Sequence, residues 1–349
     1  MDIRILTEVL KGFGILSDEL SFVPIEHGYI NDTSRVDVSG TSEYILQRIN
    51  HQVFHDPEKI QKNIDLALDK LNHETYHHLE YLRSTEGRTL FKLGNSRWRI
   101  MRFVKDSRVF NTTDSREIAF EAGRIVGLFH KLTEDENPGA YEITLPNFHN
   151  LGYRFREFIN AIDFADHLTL MEASAEVNFA NANFPVINVI FNSELPLRIC
   201  HNDTKLNNFL FNSENKALCL IDLDTIMPGF LIYDIGDAVR TIANPASEDE
   251  TDLSKIDFDV ERFGSFIKGL KSSGVALERS EIESLPLAIA YMPFIHGLRA
   301  LTDYLNGNIY YKVNYAEHNL DRAKNLFKFT SLALQKKDLL WDLTNRVFG

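Results

Sequence analysis

The chain has 349 residues, of which 44% are hydrophobic and 25% are charged, a composition typical of globular proteins with about two domains. Its formal net charge of −13 would repel a phosphate backbone, so we expect no nucleic-acid partner. No apolar run reaches the roughly 18 residues of a membrane helix, so we expect no membrane partner. The N-terminus has no signal-peptide pattern, and the two cysteines, Cys200 and Cys219, cannot form a disulfide framework. We therefore expect a cytoplasmic protein.

The first part of the chain is rich in strand-like segments. Alternating apolar and polar residues predict strands. Apolar residues at helical spacing predict two helices, one before the first strand and one between later strands. The predicted elements are a helix within residues 1–20, strands on both sides of a turn at Gly28, a strand at 44–50, a helix at 57–82 and a hairpin at 89–104. This pattern indicates a small antiparallel-sheet lobe, which we place at residues 1–104.

After residue 105 the pattern becomes helical. A strongly amphipathic helix is predicted at 115–133, and the tail from 285 to 346 is mostly helical as well. The strand-like pieces in this part are LRIC, NFLF and ALCLI, all within residues 197–221. We therefore expect an α+β protein in which residues 105–349 form a helical C-terminal lobe.

The polar residues of HNDTKLNN lie between two of these strand-like pieces. Asp203 and Asn208 are spaced D-x-x-x-x-N, as in the kinase catalytic loop, and Asp222 follows 19 residues after Asp203. Mg²⁺ prefers oxygen ligands and takes only one or two protein carboxylates, so Asn208 and Asp222 are predicted metal ligands. Asp203 would then accept the proton of a substrate hydroxyl, and Lys205 would contact the transferred phosphoryl group.

A plainer interpretation is that HNDTKLNN is only a polar surface turn, since Asn and Asp are common in turns. Carboxylates beside apolar strands are costly to bury without a cation, which favours the catalytic interpretation. The residues themselves thus predict phosphoryl transfer to a hydroxyl group.

The motifs HNDTKLNN, IDLDTIMPG and YDIGDAVR resemble those of the aminoglycoside-phosphotransferase and choline-kinase superfamily, and within it the bacterial N-acetylhexosamine 1-kinases. Further similar segments extend over nearly the whole chain. The resemblance implies a bilobal protein-kinase-like fold, with ATP as the phosphoryl donor and Mg²⁺ as the metal. It also implies that Asp234 and Asp237 provide the structural acid that braces the catalytic loop through its backbone amides.

The resemblance implies that nucleotide-binding residues lie in the N-terminal lobe. The turn at residues 26–33 would cover the ATP phosphates, and residues 102–105 would bind adenine. The residues concerned are Gly28 and Asn31 in the turn and Phe103 and Val104 in the adenine-binding segment.

The chain departs from the superfamily pattern at Gln47, where the phosphate-binding lysine would fall. A glutamine cannot neutralise phosphate charge, so either Arg48 replaces the lysine or the site relies more on Mg²⁺. The resemblance to N-acetylhexosamine kinases also implies a glutamine at this position.

The C-terminal part resembles the substrate region of these sugar kinases. The resemblance implies that the sugar is bound by Arg299, Asp303 and Tyr304 of this part, together with Asp203. Ordinary charge pairs on a surface helix would produce a similar pattern. Tyr29 stands where the bacterial sugar kinases have a histidine, and it is included in this set.

The implied reaction is phosphorylation of the anomeric hydroxyl of an N-acetylhexosamine, GlcNAc or GalNAc, by a monomer or weak homodimer. The alternatives are a kinase for another small hydroxyl compound, such as a different sugar, an amino alcohol or homoserine, and a catalytically silent nucleotide-binding module. Gln47 motivates the last alternative, whereas the intact Asp203, Asn208 and Asp222 weigh against it.

Residues 73–77 read HETYH and match the H-E-x-x-H zinc motif. On a helix, His73 and His77 would share one face and could bind Zn²⁺. No third ligand follows at a usual spacing, which disfavours a metalloprotease.

Overall fold

A computed structural model describes residues 3–25, 30–192 and 194–349 of the chain. Gly28 and Tyr29, both predicted binding residues, lie outside the described residues. The chain divides into two compact units, one formed by Met1–Ser107 with Tyr141–Leu145 and the other by Arg108–Ala140 with Pro146–Gly349.

The first unit contains one antiparallel sheet of five strands in the order β1-β2-β3-β5-β4. Its elements are α1 (Ile3–Gly12), β1 (Leu20–Ile25), β2 (Asp32–Val38), β3 (Thr41–Arg48), α2 (Pro57–Lys70), β4 (Phe91–Leu93) and β5 (Ser96–Arg102). The apolar face of α1 packs on buried residues of β2, β3 and β5, which form the core of this unit. In the register of the sheet, Gln47 of β3 lies opposite Thr33 of β2 and Arg99 of β5.

Helix α2 is shorter than the sequence predicts. It begins where the Asp56 carboxylate accepts a hydrogen bond from the Lys59 amide at 3.2 Å, and it ends at Lys70 rather than at residue 82. His73 and Tyr76 form an isolated bridge in the irregular segment that follows. Because no helix continues through residues 73–77, the two histidines of HETYH do not share a helix face and the zinc motif is not formed.

The second unit is mostly helical, and its strands all lie around the predicted catalytic segment. Its helices are α3 (Arg116–Leu132), α4 (Leu151–Phe164), α5 (His167–Glu172), α6 (Ser174–Asn188), α7 (Leu231–Ile242), α8 (Val260–Ser272), α9 (Arg279–Leu305), α10 (His318–Gln335) and α11 (Lys337–Phe348). Its strands are β6 (Arg198–Cys200), β7 (Phe209–Phe211), β8 (Ala217–Leu220) and β9 (Met227–Gly229). The α+β class is confirmed.

The short strands form two antiparallel ladders, β6 with β9 and β7 with β8. Strands β6 to β8 are predicted from the sequence, whereas β9 is not, because it has only three residues and contains Pro228. Helices α3 and α8 approach so closely that a Cβ on Gly123 would lie 2.0 Å from the Phe266 carbonyl oxygen. In the part of the chain that the structure describes, no helix combines the length and the apolarity that crossing a membrane requires.

Candidate active site

Asp203 lies on the loop between β6 and β7, where two side chains contact its carboxylate. Lys205 Nζ and Asn208 Nδ2 each lie 2.9 Å from Asp203 Oδ2, and Asn208 Nδ2 also donates to the Asp203 main-chain carbonyl oxygen at 2.7 Å. The side chains of Asp203 and Lys205 retain 20% and 22% of their exposure. The local sequence thus holds the carboxylate in one orientation and leaves it partly accessible to a substrate.

The side chain of Lys205 lies in an acidic environment. Burial acts to lower its pKa, but the nearby carboxylates of Asp203 and Asp222 outweigh this effect and raise the pKa above its ordinary value. Lys205 is therefore a permanent cation at physiological pH, suited to stabilising negative charge on a phosphoryl group.

Asp222 follows β8 in a left-handed conformation with φ of 62°, at the end of the β7–β8 hairpin. The Ile221 amide donates to the Asn208 carbonyl oxygen at 2.8 Å, which brings the two ends of the hairpin together. Asn208 uses its Nδ2 on Asp203, which leaves its Oδ1 as the side-chain atom that a metal ion would use. An amide oxygen and a carboxylate are donors that fit a hard divalent cation such as Mg²⁺.

Asp234 of α7 braces the start of this loop from inside the protein. Its carboxylate is fully buried and accepts hydrogen bonds from the backbone amides of His201 at 2.8 Å and Asn202 at 2.7 Å. Nε2 of His130, on α3, lies 2.9 Å from the same carboxylate. Of the two acids to which the resemblance gives this role, Asp234 accepts from the loop amides, whereas Asp237 contacts Arg240 and His296.

Residues 21–256 match the model of the phosphotransferase enzyme family. This range includes both the five-stranded sheet and the Asp203 loop. The chain belongs to this family. The matched range covers more than half of the chain.

Solved structures of similar fold include three kinases of small molecules. An aminopropanol kinase associated with a microcompartment has a TM-score of 0.70 and 17% identity, with 97% of this chain and 98% of that chain covered. Amicoumacin kinase in complex with AMP-PNP, Ca²⁺ and amicoumacin has a TM-score of 0.62 and 13% identity, with 95% and 96% covered. Choline kinase from Cryptosporidium parvum has a TM-score of 0.60 and 14% identity, with 100% of both chains covered. At these identities the likeness concerns the fold.

The phosphotransferase has a cluster of aromatic rings around Arg299 of α9. The guanidinium carbon lies 5.0 Å from the ring centroid of Phe148 and 5.9 Å from those of Tyr310 and Tyr311. Among the described residues, no carboxylate lies within ion-pair distance of Arg299, and its guanidinium hydrogen-bonds the Tyr310 side chain. The N–H groups that Tyr310 does not use are suited to a ligand with carbonyl or hydroxyl oxygens.

Two predicted sugar-binding residues are occupied by partners within the phosphotransferase itself. Asp303 is buried, and its two oxygens accept hydrogen bonds from the Tyr310 amide at 2.8 Å and the Tyr311 amide at 2.9 Å. The Tyr304 hydroxyl donates to Glu172 at 2.6 Å. These polar atoms therefore support neighbouring segments, and the direct contacts of both residues with a sugar stay predictions.

We expect Asp303→Ala to weaken acceptor binding without affecting the nucleotide. Removing the carboxylate frees the Tyr310 and Tyr311 amides, so the segment that lies against Arg299 loses its anchor. Asn319 Nδ2 also donates to this carboxylate, at 2.9 Å, and loses its acceptor as well. The KM for the acceptor should rise by at least about tenfold, because a single lost hydrogen bond to a charged group already has an effect of this size, and the KM for ATP should not change. Steady-state kinetics will check this, with Asp338→Ala on the exposed surface of α11 as the matched control.

Asn31 and Gln47 of the predicted nucleotide-binding residues are buried and hydrogen-bonded within the first unit. Asn31 Oδ1 accepts from the Asn50 amide at 3.0 Å, and Gln47 Oε1 accepts from Arg99 Nε at 2.9 Å. Arg48 forms an ion pair with Asp32 on the exposed side of the sheet. Their predicted contacts with the nucleotide stay predictions.

The predicted adenine-binding segment contains Phe103 and Val104, both half-buried after β5. The Phe103 amide donates to the Glu43 carbonyl oxygen at 2.9 Å, and the Val104 carbonyl oxygen accepts from Ser107 Oγ at 2.6 Å. The role of these residues in adenine binding stays a prediction.

Two histidines and one arginine that the sequence analysis does not single out lie close to the predicted site. Arg99 is fully buried beside Gln47, His130 contacts Asp234, and His149 contacts the catalytic loop. Each is an isolated residue in an unremarkable segment, so no pattern in the sequence marks it.

Proposed function

We propose that this phosphotransferase is an ATP- and Mg²⁺-dependent small-molecule kinase that phosphorylates the anomeric hydroxyl of an N-acetylhexosamine. The observation that carries the proposal is the Asp203 carboxylate held between Lys205 and Asn208. An accessible carboxylate, a cation beside it and an amide oxygen oriented by it are the parts that transfer from a nucleotide to a hydroxyl group needs.

In the proposed mechanism Asp203 orients the acceptor hydroxyl and takes its proton as the oxygen attacks the γ-phosphorus of ATP. The new O–P bond forms while the bond to the β–γ bridging oxygen breaks, so ADP leaves. Lys205 stabilises the negative charge on the transferred group, because its pKa is raised and its ammonium stays charged. Mg²⁺ supplies charge neutralisation when bound, and Asn208 and Asp222 are the residues that would hold it.

The aromatic cluster around Arg299 supports a neutral sugar as the acceptor. Aromatic rings pack against the apolar faces of a sugar, and Arg299 can donate to hydroxyl or N-acetyl oxygens. A cation already occupies this cluster, so the ammonium group of an amino alcohol or choline would be repelled there. This favours an N-acetylhexosamine over the acceptors named for the aminopropanol and choline kinases of similar fold.

We expect turnover to require a divalent cation that prefers oxygen ligands. A chelator should reduce the rate to background, and Mg²⁺ should restore it, whereas Zn²⁺ should not restore it fully because Zn²⁺ prefers nitrogen and sulfur ligands.

The Asp222→Asn variant should shift the Mg²⁺ concentration for half-maximal rate upward by roughly tenfold or more, as expected for a lost charged ligand. Recovery with Zn²⁺ alone would contradict the assignment of Asn208 and Asp222.

The proposal is tested by measuring ADP release with a panel of acceptors. We expect N-acetylglucosamine or N-acetylgalactosamine to give the largest kcat/KM, above simple hexoses, amino alcohols and homoserine. Preference for an amino alcohol would indicate a kinase for a cationic acceptor. Nucleotide binding without turnover on the whole panel would indicate a catalytically silent module.

A further inference from the structure

The segment from residue 148 to residue 151 contacts both the aromatic cluster and the catalytic loop. The Phe148 ring lies 5.0 Å from the guanidinium carbon of Arg299, and Nε2 of the next residue, His149, lies 2.9 Å from the main-chain carbonyl oxygen of Asn202. Asn202 directly precedes Asp203 in the chain. Two consecutive side chains therefore connect the proposed acceptor-binding cluster to the residue before the proposed base.

The contact between His149 and the loop has a defined direction. Because a carbonyl oxygen can only accept, Nε2 of His149 carries the hydrogen and donates it. Burial, together with the neighbouring His296, lowers the pKa of His149 to about 3, so the ring stays neutral at physiological pH. Nδ1 is buried and has no hydrogen-bond partner among the described residues, so the contact with Asn202 is the one through which the ring acts on the loop.

The carbonyl oxygen that His149 contacts belongs to Asn202, a residue whose amide and side chain are both hydrogen-bonded. Asn202 has a left-handed backbone with φ of 64°, and its amide donates to Asp234 at 2.7 Å. Its Nδ2 donates to the carbonyl oxygens of Thr225 at 3.0 Å and Met227 at 3.2 Å. Residues of α7 and of the segment 225–227 therefore hold the amide and the side chain of Asn202. His149, which follows Phe148 of the aromatic cluster, holds the carbonyl oxygen of Asn202.

The backbone of the 148–151 segment is itself held in place by Tyr291 of α9. The Tyr291 hydroxyl donates to the His149 carbonyl oxygen at 2.5 Å and accepts from the Leu151 amide at 3.2 Å. Arg299 lies two turns further along the same helix, so α9 supports both sides of the connection. The His149 ring also lies 5.1 Å from the ring of Tyr233, which limits its orientation.

We propose that His149 is a positioning residue for phosphoryl transfer, which sets the position of Asp203 relative to the acceptor bound at Arg299 through its hydrogen bond to the Asn202 carbonyl oxygen. This inference rests on the proposed function, because it requires an acceptor at Arg299. The side chain does not contact the reacting atoms in this account. Its loss should therefore slow the chemical step more than it weakens binding of either substrate.

The test compares three variants in steady-state kinetics with the best acceptor. His149→Phe keeps an aromatic ring and removes the hydrogen-bond donor. We expect kcat to fall between about ten- and a hundredfold, because a small misplacement of the reacting groups has an effect of this size. The KM values of both substrates should stay within about twofold of wild type. His149→Gln retains an N–H donor and should recover most of the rate. His55→Phe, an exposed histidine of the first unit, is the matched control and should behave as wild type.

Two further measurements keep the outcome interpretable. Tyr291→Phe keeps the ring and removes the hydroxyl that holds residues 149 and 151 and that also hydrogen-bonds Tyr233. It should lower kcat in the same direction if His149→Phe does not fold. Hydrogen exchange of peptides covering residues 198–208 should be faster in His149→Phe than in wild type and in His149→Gln. This readout needs no turnover, so it reports on His149 even if no acceptor is phosphorylated and the proposed function fails.

A wild-type kcat and wild-type loop exchange in His149→Phe would overturn the inference. So would a His149→Gln variant as slow as His149→Phe, because the ring and not its donor would then matter. An acceptor KM that rises with unchanged kcat would also overturn it, since that result would make His149 part of the binding surface.

Discussion

Asp203→Asn should leave the fold intact and lower kcat by roughly 10²–10⁴-fold, the usual contribution of a general base. The amide has the shape of the carboxylate and can still accept from Lys205 and Asn208, whose nitrogens both lie 2.9 Å from Asp203 Oδ2. It cannot take the proton of the acceptor hydroxyl. Initial rates of ADP release, with nucleotide affinity measured separately, will check the prediction.

The matched control is Asp342→Asn on the exposed surface of α11, which changes the same functional group away from the loop. It should have wild-type kinetics. If Asp203→Asn kept near-normal turnover with an unchanged melting temperature, the assignment of the base would be wrong.

Asp234→Asn should lower both stability and turnover. The carboxylate is completely buried and accepts from two loop amides and from His130, so one of these donors would face an NH₂ group in the variant. A buried donor without an acceptor costs about 1–3 kcal/mol, and loss of a buried charged partner costs more, so we expect about 2–5 kcal/mol in the free energy of unfolding. The loop before Asp203 would also lose its fixed conformation.

Denaturant unfolding and kcat measured on the folded fraction will separate the two effects. Glu121→Gln is the matched control, because Glu121 is also a buried acid that accepts from a backbone amide, that of Ala217 at 3.1 Å, but contacts no residue of the Asp203 loop among those described. It should lower stability while the folded protein keeps its kcat. Equal losses of kcat in both variants would remove the special role of Asp234.

The sequence predicts the parts of the fold that local patterns determine. Alternation in residues 20–48 and the amphipathic pattern of 115–133 correspond to strands β1 to β3 and helix α3. The predicted helix extended too far beyond Lys70 because the histidines and apolar residues that follow keep a helical spacing, although a turn at His73 interrupts the chain. Strand β9 was missed because its pairing with β6 comes from tertiary contacts and not from its own residues.

The same division applies to the candidate site. Asp203, Lys205 and Asn208 lie within one short loop, so their spacing alone predicts that they meet. The contact of His149 with Asn202 spans 53 residues, and no local pattern reports a pair so distant in sequence. The resemblance to sugar kinases places Asp303 in the substrate region, and only the folded chain shows that its oxygens accept hydrogen bonds from the Tyr310 and Tyr311 amides.

The most direct measurement is the chemical structure of the product formed from N-acetylglucosamine or N-acetylgalactosamine and ATP. The account predicts a phosphate ester at C1, seen in ³¹P NMR by coupling to the anomeric proton and in a reducing-sugar assay by loss of the reducing end. It also predicts that Asp203→Asn forms the same ester at least about a hundredfold more slowly than the wild type. A phosphate ester at C6 that leaves the sugar reducing, or no sugar phosphate at all, would contradict the account.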